Sequence, residues 1–130
     1  PDQTPPILSA DTTVALGQTI LGKPADHEDA KGILRALAGQ THDVYTAVVL
    51  SVGQQQHTAL THTRVTIDAA LNESLDDYIA SGEPFGKAGA YGIQGIAAAY
   101  VSDVHGSYSS VVGLPLYETA QLLRQAGLYR

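Results

Sequence analysis

The chain has 130 residues and contains no Met, Cys or Trp, so disulfides, iron–sulfur clusters, thiol catalysis and Cys-based zinc sites are excluded. Seven Lys plus Arg against thirteen Asp plus Glu give a formal charge of -6 at pH 7. Such a surface is a poor generic ligand for nucleic acid or anionic lipid. With 44% hydrophobic and 15% charged residues the composition is globular, and no apolar run suits a membrane span or leader. Cytoplasm is the expected compartment. A chain that begins at Pro1 and has no Met is expected to be a processed chain or part of a longer reading frame.

Pro1 to Pro6 reads as a polar loop. Ile7-Leu8-Ser9-Ala10 and Thr12-Thr13-Val14-Ala15-Leu16 have the β-branched content of buried strands, Gly17-Gln18 a hairpin turn, and Thr19-Ile20-Leu21 its return. Pro24 closes that unit. Asp26 is suited to cap a helix carrying Glu28 and Asp29 in its first turn, with Ala30, Ile33, Leu34 and Leu37 inward and Gly39 as the stop. His42 to Val52 alternates between two largely apolar faces, which predicts a central strand covered on both sides. After a turn at Gly53, Gln56 to Ile67 reads as its partner.

Ser74 to Ile79 predicts a short helix capped by Asn72 or Ser74 and stopped at Gly82. The glycine-rich stretch Gly82 to Gly95 follows. Ala97 to Val104 and Ser107 to Val112 read as a hairpin across His105-Gly106. A last helix starts near Pro115, with Leu116, Ala120, Leu122 and Leu123 inward, and ends at Gly127. This order of elements predicts an α/β or α+β domain with a mixed sheet.

Three segments bear on chemistry. The stretch Gly86-Lys87-Ala88-Gly89-Ala90-Tyr91-Gly92-Ile93-Gln94-Gly95 is either a ligand loop, whose glycines let backbone N–H groups approach phosphates, or a connector. It is not a Walker A loop, which needs Gly at Ser81 and Ser or Thr at Ala88, nor a dinucleotide fingerprint. Asp11 directly follows an apolar run, where a carboxylate can hold a cation or take a proton from water, or simply cap the next turn. Lys23, in Gly22-Lys23-Pro24, is either a turn lysine or a phosphate contact.

The histidines form no metal set. His57 and His62 fall on opposite faces of a strand, His27 opens a helix, His105 lies in a turn, and His42 alone is placed near a site. Asp26 to Asp29 reads as helix capping rather than calcium binding, and no nucleophile elbow surrounds Ser81, Ser107 or Ser109. Tyr91, Tyr100, Tyr108 and Tyr117 read as packing residues.

Taken together, Ser9-Ala10-Asp11-Thr12, Leu21-Gly22-Lys23-Pro24, Gly39-Gln40-Thr41-His42, Tyr45-Thr46-Ala47, Ser81-Gly82-Glu83-Pro84, Lys87 to Gly95 and Gly106-Ser107-Tyr108 through Val112-Gly113-Leu114-Pro115-Leu116-Tyr117-Glu118-Thr119 resemble the Maf family of nucleoside triphosphate pyrophosphatases, named for an early link to septum formation. Lys-Ala-Gly-Ala-Tyr-Gly-Ile-Gln-Gly resembles the subgroup acting on dTTP and UTP rather than that acting on 7-methyl-GTP. The resemblance implies an elongated α/β fold with a mixed, strongly curved sheet flanked by helices, a divalent cation such as Mg or Mn, and a homodimer when full length. It also implies hydrolysis to the monophosphate and pyrophosphate, as housecleaning of nucleotide pools.

Carried onto matching positions, Asp11 becomes the proton acceptor and metal ligand, and Lys23 the lysine that steadies the triphosphate. Thr12 and Gln94 become base-selecting residues, and Lys87 a substrate contact. The family's Ser-x-Ser-Pro-Arg-Arg motif and Glu-Lys-Ala helix segment are absent, and Gly86 stands where Asp is usual. The chain is accordingly expected to be the C-terminal portion of one Maf-like domain, with little or no activity alone. The alternative is a non-catalytic nucleotide-binding or cell-division regulatory remnant; a sugar-nucleotide binder is a third reading.

Overall fold

A computed structural model of the chain describes residues 4–130. The expected N-terminal loop lies outside the described residues at positions 1–3, and 4–6 carry no regular structure. Five strands form one sheet in the order β2-β1-β3-β4-β5, with β1 Ile7–Leu16, β2 Thr19–Leu21, β3 Thr41–Val52, β4 Gln55–Ile67 and β5 Val101–His105. Every pairing between these strands is antiparallel, and parallel character is confined to the isolated bridge Ala38–Ile67. The α/β class is as expected; the mixed sheet reduces to that single bridge. None of the helices among the described residues is long and apolar enough to cross a membrane.

Helix α1, His27–Leu37, forms where its pattern requires. Asp26 Oδ1 accepts the Asp29 amide at 2.8 Å while Asp29 Oδ2 accepts the Ala25 amide at 2.8 Å, a reciprocal arrangement that satisfies two N-terminal donors. Ala30, Leu34 and Leu37 are fully buried against Val44, Val65 and Ile67 of the sheet. Helix α2, Leu75–Ala80, adds Leu75, Tyr78 and Ile79 to the same core. A second, smaller core joins Val48, Leu50 and Leu122 under α4, Leu116–Gln125.

All of this packing lies on one face of the sheet. On β3, His42, Val44, Thr46, Val48 and Leu50 are buried, whereas Ala47 is exposed and Tyr45 and Val49 are half-buried. The expectation of a strand covered twice is therefore wrong: the opposite face carries Tyr45 stacked on His62, with centroids 4.5 Å apart, beside Leu60 at 70% exposure. Short apolar residues on that face gave the two-sided pattern, but among the described residues no helix packs there.

Four local expectations also change. Ile7 to Leu16 is one continuous strand, so Asp11 sits in its middle rather than at an end. Ser74 holds the N-cap position of α2 without a side-chain cap bond, while Asp68 caps the preceding 3₁₀ turn, Ala69–Ser74, through the Ala70 amide. Residues Ile96–Tyr100 form a 3₁₀ turn before β5, and β5 pairs with β4. The second arm of the expected hairpin is α3, Tyr108–Val112: Ser107 Oγ accepts the Ser110 amide at 3.2 Å, and this cap overrides the strand preference of Val111-Val112. On α4 the buried positions are Thr119 and Leu122, with Leu123 and Ala120 half-buried and Leu116 63% exposed.

Candidate functional site

One cavity of about 360 Å³ opens between the covered face of β1, the Gly22-Lys23 turn, the glycine-rich stretch and α3. That size suits a small organic ligand. Val14, Val44, Tyr91 and Ile93 give it a buried apolar floor, and Asp11, Thr12, Lys23, Lys87 and Gln94 line it as well. Five residues separated by as many as 83 positions in sequence thus meet around one space.

The strand supplies two of them in opposite phases. Thr12 pairs in register with Thr46 on the covered face, whereas Asp11 pairs with Ala47 and borders the cavity from an exposed rim. Lys23 is brought to the loop by its neighbour, because Gly22 O accepts the Gly89 amide at 3.1 Å. Gly89 has φ +76°, and a Cβ there would lie 3.0 Å from Val14 Cγ1. Both the left-handed backbone and the approach to β1 therefore require glycine. Ala90, at φ +63° and fully buried, holds a conformation that costs a non-glycine residue about 1 kcal/mol and marks the loop as locked by its surroundings.

Glu83, whose role the motif comparison left unassigned, is the lock. Its Oε1 accepts the Ile96 amide at 2.8 Å, and its Oε2 accepts the Ala97 amide at 3.2 Å and the Tyr78 hydroxyl. A Cβ on Gly95 would fall 1.6 Å from Oε1, so the chain reaches this carboxylate only as glycine. Tyr78 Oη in turn accepts the Gly92 amide at 3.2 Å, and Lys87 Nζ donates to the Glu83 carbonyl at 2.8 Å. Burial pushes the Glu83 carboxyl up, but the Tyr78, Ile96 and Ala97 donors and the Lys87 charge together hold it below the ordinary range. Burial and the bond to Glu83 raise the Tyr78 hydroxyl. The sequence signal was available: a glutamate between Gly82 and Pro84, ahead of a glycine-rich stretch with many unpaired amides.

A second tie runs beneath the loop. His42 Nε2 lies 2.7 Å from Tyr91 Oη, both rings buried and meeting edge to face. Burial lowers the His42 pKa to about 4 against a partial offset from Asp43, and burial raises the Tyr91 hydroxyl. His42 is the histidine placed near a site by its position in the sequence. His62 instead pairs with Asp43 at 2.6 Å on the open face of the sheet.

Among the described residues no three His, Asp or Glu side chains converge as a metal cluster. Of the two carboxylates lining the cavity, Glu83 is occupied by its own donors, which leaves Asp11. A single exposed carboxylate suits a hard cation that keeps most of its ligands as water and phosphate oxygen.

A family model described as "Maf-like protein" matches residues 2–126. The chain belongs to the Maf family. Curated relatives named "dTTP/UTP pyrophosphatase" include those of Cupriavidus metallidurans, 55% identical over 124 residues, and Polaromonas sp., 54% identical over 123 residues. That of Bordetella avium is 53% identical over 123 residues. Each match covers 95% of this chain but only 62%, 61% and 61% of the respective relative. The Maf chain thus spans less than two thirds of the length of these relatives, and its match includes all five cavity residues singled out from motifs.

Proposed function

We propose that this Maf chain forms the base- and phosphate-facing part of a nucleoside triphosphate pyrophosphatase site acting on dTTP and UTP. The observation that carries this reading is the meeting of Asp11, Thr12, Lys23, Lys87 and Gln94 at one cavity. Hydrolysis of the α–β phosphoanhydride needs water that can be deprotonated, phosphate charge that is balanced, and a fixed base. Asp11, exposed at the rim, accepts the proton from the attacking water. Lys23 balances charge on the triphosphate, and so does Lys87, which keeps two N–H donors beyond its bond to Glu83. Gln94, whose amide both donates and accepts, and Thr12 read the pyrimidine. Asp11 would hold a Mg²⁺ or Mn²⁺ ion, which would supply further charge neutralisation.

The chain is read as the C-terminal portion of one domain, acting in the cytoplasm on nucleotides rather than nucleic acid or membrane, and dimeric in the whole protein. Because the Ser-x-Ser-Pro-Arg-Arg and Glu-Lys-Ala segments are absent, binding by the isolated chain is expected to outlast turnover. Pyrophosphate release and dTTP binding measured on the same preparation test this. Binding with slow release, reduced a further ~100-fold by Asp11→Asn, supports the assignment. Binding with release indifferent to Asp11→Asn favours a non-catalytic nucleotide binder, and release at rates typical of a complete enzyme contradicts the half-site reading.

A further inference from the structure

Thr12 is one of three hydroxyl or carbonyl groups linked in a line. Thr12 Oγ1 lies 3.0 Å from Thr46 Oγ1, and Thr46 Oγ1 donates to the Ser110 carbonyl at 2.8 Å. A carbonyl oxygen can only accept, and a hydroxyl has a single proton. The Thr46 proton is therefore committed to Ser110, and the proton between the two threonines comes from Thr12. Thr46 is fully buried, as is Ser110, so no solvent competes to reverse this direction. Thr12 then faces the cavity with lone pairs and no proton to give.

We propose that Thr46, through this relay, fixes Thr12 as an obligate acceptor and thereby makes the cavity select a ring that presents an N–H donor. Resting on the nucleotide reading above, the inference specifies which base edge is read. Uracil and thymine carry a proton on N3; cytosine carries a lone pair there, which would face the Thr12 lone pairs. Phosphate oxygens are likewise unsuited to this position, which places the base rather than the triphosphate against Thr12. Thr46 lines no part of the cavity and acts only by orienting its neighbour: it is a positioning residue. Its carrier is α3, so the Ser107-capped helix that displaces the expected strand supplies the carbonyl on which the polarity depends.

The test is isothermal titration of the full 130-residue chain with dTTP and with dCTP, each with Mg²⁺, for the unsubstituted protein, Thr46→Val, Thr46→Ser and Thr12→Val. The unsubstituted chain should prefer dTTP by about 10- to 100-fold, the scale set by leaving buried polar groups mismatched. Thr46→Val frees the Thr12 proton to donate to cytosine N3, so dCTP should tighten and the preference fall to about threefold or less. Thr46→Ser, which restores the hydroxyl, should restore the preference. Thr12→Val, at a half-buried position that does not depend on the core, should weaken dTTP without tightening dCTP. A structural role for Thr46 would weaken both nucleotides alike, and that result, or an unchanged preference in both Thr46→Val and Thr12→Val, overturns the inference. Nucleotide binding without base preference in the unsubstituted chain overturns it alone; no binding of either nucleotide overturns the nucleotide reading and this inference together.

Discussion

The sheet with α1 and the loop from Gly82 to Gly95 share one apolar core but differ in how far directional bonds hold them. Around Leu34, Val44 and Val65 the sheet is fixed by apolar burial, which is non-directional and distributed over many side chains. The loop adds Ala90, Tyr91 and Ile93 to that core. Around those anchors it is fixed by directional bonds: one carboxylate, one phenol and one lysine satisfy backbone groups that no strand or helix pairs, and His42 meets the Tyr91 hydroxyl. The first region tolerates pattern-preserving change, while the second depends on single atoms as well as on its apolar anchors. A cavity built where the two meet has a rigid floor and a rim whose shape a few hydrogen bonds decide.

Substitutions can break either side of that contrast. Leu34→Ala, at a fully buried position on α1, is expected to cost about 2–5 kcal/mol of global stability, read from denaturant midpoints. Acid should act next. His42 is lowered from 6.5 to about 4 by burial, so its neutral ring belongs to the folded state. The unfolded chain binds the extra proton, and stability is complete above pH 6.5 and falls as pH drops toward 4, by about 3 kcal/mol for this group. His42→Gln should flatten that limb of the stability–pH curve; an unchanged limb would assign the loss to carboxylates elsewhere.

Glu83→Gln should cost about 1–3 kcal/mol, because an amide cannot accept from both amides and the Tyr78 hydroxyl. Its signature is local: hydrogen exchange should speed at Ile96 and Ala97 while Val44 and Val65 stay protected. Uniform acceleration would show that loop and sheet open as one unit. Asp26→Ala should cost about 1 kcal/mol through the α1 cap alone, measurable as a small shift in melting temperature.

The same division governs how much was readable in the sequence. Strands β1 to β4 and helix α1 follow from alternation, helical spacing and a cap, because burial is what those patterns encode. Asp26 capped as its position demanded. Coverage of β3 on one face only was not legible, since Ala47 and Val49 are apolar enough for either environment. Nor was α3, where one serine hydroxyl outweighs two valines. The motifs pointed to Asp11, Thr12, Lys23, Lys87 and Gln94, and the fold brings these five to the lining of one cavity. Thr46 was not singled out because its importance lies in which atom it orients, which spacing does not carry, whereas Glu83 left a signal in its place ahead of the glycine-rich amides. Asp11 in mid-strand, out of phase with Thr12, likewise needed the register with Ala47 and Thr46 to be seen.

The central claim is that these five residues form one nucleotide site. Backbone amide chemical shifts of the chain titrated with dTTP and Mg²⁺ test it most directly. The amides of Thr12, Lys23, Lys87 and Gln94 should move together along a single saturation curve, while Tyr45 and His62 on the open face of the sheet stay in place. Shifts confined to that open face, or none at the cavity at saturating dTTP, would contradict the account.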